Sequence, residues 1–273
     1  MSYETITFEK DGPIGVLTLN VPKKLNAISG TLVNEVNAAL DDAESDDDVR
    51  VVLLTGAGRA FCAGFDLAYT AEDSEDLGKL QQGLVSDMDF IMRFWRFPKP
   101  TIAAVHGYAL AAGCELAVAC DITVADEKTF FGEPELRFGA GIVAMILPWI
   151  IGPKQAKEMI LTGNDRITAQ RALEINLINR VAPEGEYLKV AMKLAREMAS
   201  IDPLPMRLQK MAINRTYEIM GLNEALKTAS DLDVLIEGIE TPDSKTFSEI
   251  ARKDGIKAAL NWRDSRFASD AAN

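Results

Sequence analysis

Apolar residues recur along this chain with two periods, and the switch between them outlines the fold. Residues 5–10, 14–19, 51–55, 101–105 and 122–125 read as strands, of which 51–55 and 101–105 are compact apolar runs. The first two flank Asp11-Gly12-Pro13, which predicts a hairpin. Elsewhere the period is helical. Ser29 or Thr31 caps a helix to about Ala43, with Leu32, Val36 and Leu40 on one face. Residues 77–97 set Leu80, Leu84, Met88, Ile91 and Trp95 on one stripe, and Pro98 and Pro100 stop it. Residues 145–151, 154–161 and 169–175 read as helices, the last capped by Thr168, and 177–181 as a short strand. Beyond Glu186 the pattern is almost wholly helical: 187–200, 205–220, 223–237 and 247–262, with a turn at Pro242-Asp243. The acid-rich residues 41–48 read as a solvated turn and 71–76 as a mobile loop.

The first two thirds therefore predict an α/β array of repeated strand–strand–helix units, and the last quarter predicts helix alone. Residues 1–200 are expected to form the core that carries the site. Residues 201–273 are expected to form a C-terminal helical region that mediates oligomerisation. At 273 residues the chain is long enough to bury a large core.

Charge and cysteine content narrow the function. A net charge of −12 argues against nucleic acid as a partner, since phosphate binding needs a basic face. Cys62, Cys114 and Cys120 stand at neither zinc-ligand nor redox-pair spacing and read as small buried hydrophobes. His106 is the single histidine, so a histidine-based metal cluster is excluded, and no metal is expected. The N-terminal residues lack the basic and apolar regions of a signal peptide, and no apolar stretch reaches membrane-spanning length. A soluble cytoplasmic protein is the expectation.

Two stretches carry candidate chemistry. Residues 106–121 follow a strand, pass through small residues and restart as a helix near Gly113 with one acid, Glu115. Such a corner offers free N–H groups at the positive end of a helix, which suits an anion or a developing oxyanion. Residues 56–67 form a second corner, with Gly56, Gly58 and Gly64 interrupting an apolar segment. A second acid, Glu135, is read as exposed at a strand-to-helix connection, its approach fixed by Pro134. A lone Glu is usually just solvated. Glu115 has apolar or small neighbours, Leu110, Ala111, Ala112, Leu116, Ala117 and Val118, which predict burial and a raised pKa suited to acid–base work.

Taken together, Phe61-Cys-Ala-Gly-Phe-Asp-Leu67, Gly107-Tyr-Ala-Leu-Ala-Ala-Gly-Cys-Glu-Leu116, Asp121-Ile122, Phe131-Gly-Glu-Pro-Glu135 and Leu161-Thr-Gly163 leading to Ile167-Thr-Ala169 resemble the enoyl-CoA hydratase/isomerase (crotonase) superfamily. The resemblance spans nearly the whole chain. It implies a crotonase-like spiral of ββα units with a C-terminal helical trimerisation region, as a homotrimer or dimer of trimers. It implies that the N–H groups of Phe65 and Ala112 hold the thioester oxygen of an acyl-CoA. Many members carry Gly where this chain has Ala112. It further implies that Leu25, Ala27, Ala63, Gly64, Asp66, Leu67 and Gly113 help line the substrate site. No cofactor is implied, because coenzyme A is part of the substrate.

In the hydratases that the chain resembles, both acids are present and match Glu115 and Glu135. The resemblance implies that Glu135 transfers the proton at C2 while Glu115 holds and activates the water. Isomerases of the family usually keep only the acid at the Glu135 position. Dienoyl isomerases place an Asp eight residues past it, where this chain has Val143. Hydration of a 2-trans-enoyl-CoA is therefore the leading expectation. Another crotonase-type reaction (isomerase, hydrolase or lyase) and a non-catalytic acyl-CoA- or RNA-binding relative are the alternatives. Residues 139–149 depart from the family's glycine- and proline-rich loop. Their apolar bulk leaves chain length open and admits a cyclic or aromatic acyl group.

Overall fold

The structure, a computed structural model, describes residues 3–67 and 76–267. Nine strands form two sheets among these residues. The larger has the order β1-β2-β3-β4-β6-β9, built from Ile6–Asp11, Ile14–Leu19, Val51–Gly56, Thr101–Val105, Ile122–Asp126 and Arg180–Ala182. The β1–β2 hairpin is antiparallel and every later pairing in this sheet is parallel. The smaller sheet joins β5 (Tyr108–Leu110), β7 (Phe130–Gly132) and β8 (Ile167–Thr168).

β3 shows why the middle of the large sheet is apolar throughout. Successive side chains point to opposite faces. Val51 and Leu53 join Ile14, Ile102 and Val124 in a cluster sealed by Ala191, Leu194 and Ala195 of α6 (Tyr187–Ala199). Val52 and Leu54 enter the main core with Leu17, Leu19, Ala103 and Val105. Both faces of the strand are covered, as parallel sheets require. The main core is completed by α1 (Gly30–Ser45), α2 (Leu77–Arg96) and α3 (Ala112–Ala119). Ser29 caps α1 by accepting from Leu32 N at 3.3 Å.

Asp76 accepts from Gly78 N and Lys79 N and so caps α2, and the rest of the expected loop, residues 71–75, lies outside the described residues. α4 (Leu147–Leu161) merges the two helices expected over 145–161, with a kink at Gly152-Pro153. α5 (Ala169–Glu174) is capped by Thr168 as expected.

The structure corrects three details. The late strand is Arg180–Ala182, not 177–181, because Leu177 N and Ile178 N bond back to Ala172 O and turn the chain there. Pro242 opens a helix rather than a turn: α9 (Pro242–Asp254) has Thr241 in a capping box with Ser244, and a proline at the first position has no N–H to leave unpaired. The helix expected over 247–262 is two helices, because Gly255, with φ 86°, separates α9 from α10 (Ile256–Ser265).

α7 (Pro203–Ile219) buries no residue completely. Polar anchors hold it instead. Lys210 Nζ meets Asp121 Oδ2 at 2.7 Å and Lys99 O at 3.1 Å, and Asn214 Nδ2 donates to Trp95 O at 2.8 Å. α8 (Leu222–Gly238) lies across α2, with Gln81 donating to Asp231 at 3.2 Å. Phe138 stacks on Phe247 with ring centroids 5.3 Å apart, which ties α9 to the segment after Glu135.

Candidate active site

The two backbone corners meet. After β3 the chain turns and runs beside β5: Cys62 bridges Ala109, and Leu110 N donates to Cys62 O at 3.0 Å. On its other side Ile28 N donates to Gly64 O at 2.8 Å, and Asp66 N donates to Ile28 O at 2.9 Å. Gly64 has φ +93°, and a Cβ there would sit 2.7 Å from the Ala111 Cβ and 3.4 Å from Ala112 N. Only glycine lets this strand approach α3 so closely.

The second corner is strained. Ala111 adopts φ 55° and ψ −136°, a region that costs a residue with a side chain about 1–3 kcal/mol. Its N–H is held by Gly132 O at 2.8 Å, and its carbonyl accepts from Cys114 N and Glu115 N at 2.7 and 3.1 Å. This turn starts α3 and aims the Ala112 N–H towards Gly64. Among the described residues the N–H groups of Phe65 and Ala112 find no protein acceptor. Two free donors thus stand side by side at a helix N-terminus, where the helix dipole favours negative charge.

The other sequence-predicted binding residues lie along the same rim. Ala63 N donates to Leu25 O at 3.1 Å, and Ala27 N to Lys24 O at 3.1 Å. Lys24 pairs with Asp66 at 2.6 Å, Leu67 follows directly, and Gly113 lies against Cys62. Asn26 organises this rim. It is fully buried, its Oδ1 accepts from Val21 N at 2.9 Å, and its Nδ2 reaches the carbonyls of Ala57, Ala60 and Phe61 at 2.9, 2.8 and 3.1 Å. The sequence reading missed it; a polar residue set between Leu25 and Ala27 was the available signal.

The two acids also come together. Glu115 is completely buried in α3, and its Oε2 accepts from Ala144 N at 3.1 Å, while Oε1 has no partner. Burial first, then the charge of Glu135, pushes its pKa well above the usual carboxylate range. Glu135 is not exposed, as the sequence had suggested. It is 7 % exposed, in the 3-10 turn Glu135–Phe138, with Oε2 unpartnered and its pKa pushed up to about 8, chiefly by burial. Of this turn only Glu135 is buried; Phe138 stacks on Phe247 of α9 and Arg137 lies over the Phe267 ring at 4.6 Å.

A third acid joins them. Glu133 is completely buried, and neither of its oxygens has a hydrogen-bond partner. Burial, then the charges of Glu135 and Glu115, raise its pKa well above normal. Its signal in the sequence was the doubled acid of Glu133-Pro134-Glu135. No cation pairs with any of the three among the described residues, and burial raises all three pKa values, with the charge of Glu135 adding to it at Glu115 and Glu133.

An enoyl-CoA hydratase/isomerase family model matches residues 9–267. This chain belongs to the enoyl-CoA hydratase/isomerase family.

Its relatives include the short-chain-enoyl-CoA hydratase of Clostridium acetobutylicum, 34% identical over 96% of this chain and 97% of that protein. The crotonyl-CoA hydratase of Syntrophomonas wolfei is 32% identical over 98% of this chain and all of its own length, 100%. A solved structure of an enoyl-CoA hydratase/isomerase from Xanthobacter autotrophicus Py2 superposes with a TM-score of 0.94 at 48% identity, covering 97% of this chain and 99% of that one. The two-sheet spiral is the crotonase fold, as the sequence motifs implied.

The remaining candidates are structural. His106 Nε2 lies 3.0 Å from Gly58 O, and its ring stacks on Tyr187. The three cysteines are buried and free, and burial pushes the Cys62 thiol up to about 12. No helix among the described residues is long and apolar enough to cross a membrane.

Proposed function

We propose that this chain hydrates a 2-trans-enoyl-CoA thioester to the 3-hydroxyacyl-CoA. The observation that carries the reading is the pairing of two buried carboxyls, Glu115 and Glu135, beside two free backbone donors. In this reading the Phe65 and Ala112 N–H groups hold the thioester oxygen. The pantetheine and nucleotide parts lie along Leu25, Ala27, Ala63, Gly64, Asp66, Leu67 and Gly113. Lys24, paired with Asp66, is a cation on this rim. Coenzyme A belongs to the substrate and no resident cofactor is needed.

The chemistry follows from the positions. The water oxygen bonds to C3 while Glu115 takes its proton. The C2–C3 π electrons move to the thioester oxygen, where the two N–H donors stabilise the enolate by about 3–4 kcal/mol each. The enolate then collapses as C2 takes a proton from Glu135. Proton transfer between the neighbouring acids resets the site, and the net change is addition of one water. One acid must be ionised while the other is protonated, which closely spaced carboxyls with raised pKa values achieve as a pair.

The test is direct. Purified protein with 2-enoyl-CoA thioesters of several lengths should lose the conjugated thioester absorbance. No hydration at any length would overturn the reading. Formation of a shifted double bond, free acid or cleaved product would point to another reaction on the same enolate. We further propose a homotrimer or dimer of trimers in the cytoplasm, supported by the apolar faces of α7 and α8.

A further inference from the structure

α8 is turned inside out over its second half. Its buried stripe begins as Leu222 and Leu226 and continues as Ser230 and Asp233, with Glu237 half-buried beyond them, while Leu235 and the C-capping Ile239 are exposed. A helix that only covered a core would do the reverse.

The inward residues press on the loop that holds Glu115. Gly141 N donates to Glu237 Oε1 at 3.1 Å, and a Cβ at Gly141 would collide with Asp233 Oδ1. Ile142 and Met145 of this loop face Ala229, Leu232, Asp233 and Ile236 across a cavity of about 540 Å³. Between them Ala144 gives its N–H to Glu115. Asp233 therefore stands where the cavity wall meets the catalytic acids, and its charge raises the pKa values of both Glu115 and Glu135.

Two of these inward groups, Asp233 and Ser230, have no protein partner among the described residues. Asp233 is 2 % exposed with neither carboxyl oxygen hydrogen-bonded, and Ser230 is 2 % exposed with an unpartnered hydroxyl. No lysine or arginine among the described residues pairs with Asp233 or Glu237. Burying such groups unpaired is destabilising, and leucine would fill the same space without that cost. Groups held this way suit a ligand that brings the missing donors. A cavity of this size takes a small organic group.

We propose that the acyl group this site accepts carries a hydrogen-bond donor, a hydroxyl or an amino group, remote from its thioester, and that Asp233, the buried and unpartnered acid in the cavity wall, receives it. The proposal rests on the acyl-CoA reading above and adds the polarity of the acyl end. The apolar wall of Ile142 and Met145 takes the carbon chain, and Asp233 takes its tip. Sites built around a polar partner discriminate strongly, because an analogue lacking it leaves their own groups unpaired.

The test pairs substrates of equal length. Wild-type protein is given plain, ω-hydroxy and ω-amino 2-enoyl-CoA thioesters, and kcat/KM is measured for each. At least one polar substrate should exceed its plain counterpart by about tenfold or more, and the two arms distinguish hydroxyl from amine. Asp233→Ala should erase that ratio and Asp233→Asn should keep part of it. Equal or better use of plain chains by wild type, or an unchanged ratio in Asp233→Ala, overturns the proposal. Calorimetric binding of the saturated ω-hydroxy, ω-amino and plain acyl-CoAs separates the two ideas. A polar preference in binding with no hydration sustains this proposal and defeats the hydratase reading, while hydration without any polar preference does the opposite.

Discussion

Glu115 and Ala144 are joined by a single hydrogen bond, from the Ala144 N–H to Glu115 Oε2 at 3.1 Å. The bond fixes one carboxyl oxygen against the loop and leaves Oε1 without a protein partner. Glu115→Gln can still present a carbonyl to Ala144 but cannot take a proton. Hydration should fall by about 10²–10⁴-fold, with the melting temperature nearly unchanged. Glu115→Ala should lose both activity and thermal stability, because it leaves a buried void and an unpaired Ala144 N–H. Steady-state rates and thermal melts of the two variants check this. Wild-type turnover in the glutamine variant would remove Glu115 from the chemistry.

The raised pKa of Glu135 sets two pH dependences. Its carboxyl is an ordinary acid when unfolded, with a pKa of 4.5, and rises to about 8 in the fold, chiefly through burial. The folded state thus prefers the protonated form. Its stabilising effect is complete below the unfolded value and is lost as pH rises through the folded one. Thermal stability should therefore decline between about pH 4.5 and 8, and Glu135→Gln should flatten part of that decline. If Glu135 delivers the C2 proton, kcat/KM should also fall as pH rises through about 8. A wild-type rate that climbs across that range would contradict the role.

What could be read from the sequence follows the strength of the local signals. β3, α1 and α2 were readable because their patterns are long and their caps conventional. β5, β7 and β8 are three, three and two residues long, too short for any period to register. Both backbone corners and both acids were visible as motifs, but Glu133 was hidden by its proline neighbour and by the absence of any reason to bury it. Asp233 and Ser230 were invisible for a different cause. Their helix also carries Leu232, Leu235 and Ile236, and only tertiary packing turns the Ser230 and Asp233 side of it inward.

Ala111 gives a stability prediction with an internal control. Its φ of 55° and ψ of −136° suit glycine, and its methyl group makes no cap hydrogen bond. Ala111→Gly removes about 1–3 kcal/mol of strain and adds up to about 1 kcal/mol of unfolded-chain entropy. The variant should be neutral to stabilised by about 2 kcal/mol. Ala117→Gly, in the buried interior of α3, should instead cost about 1 kcal/mol or more. Denaturant midpoints of the two variants decide it, and equal losses at both positions would show that Ala111 carries no strain.

α7 supplies the last prediction. Leu204, Leu208 and Met211 share one face and are 64%, 47% and 58% exposed, while Lys210 and Asn214 anchor the helix from the other side. A long helix that buries nothing completely and shows a row of large apolar side chains fits a covered surface, and a second copy of the chain is the occupant proposed here. Light scattering of the wild type should return three or six times the chain mass. Leu208→Glu would force a charge into that contact and should shift the population towards single chains at micromolar concentration. The polar anchors of α7 are untouched by the change, so its far-ultraviolet dichroism should persist. A wild type that scatters as one chain, or a Leu208→Glu variant whose mass is unmoved, would take this face out of the assembly.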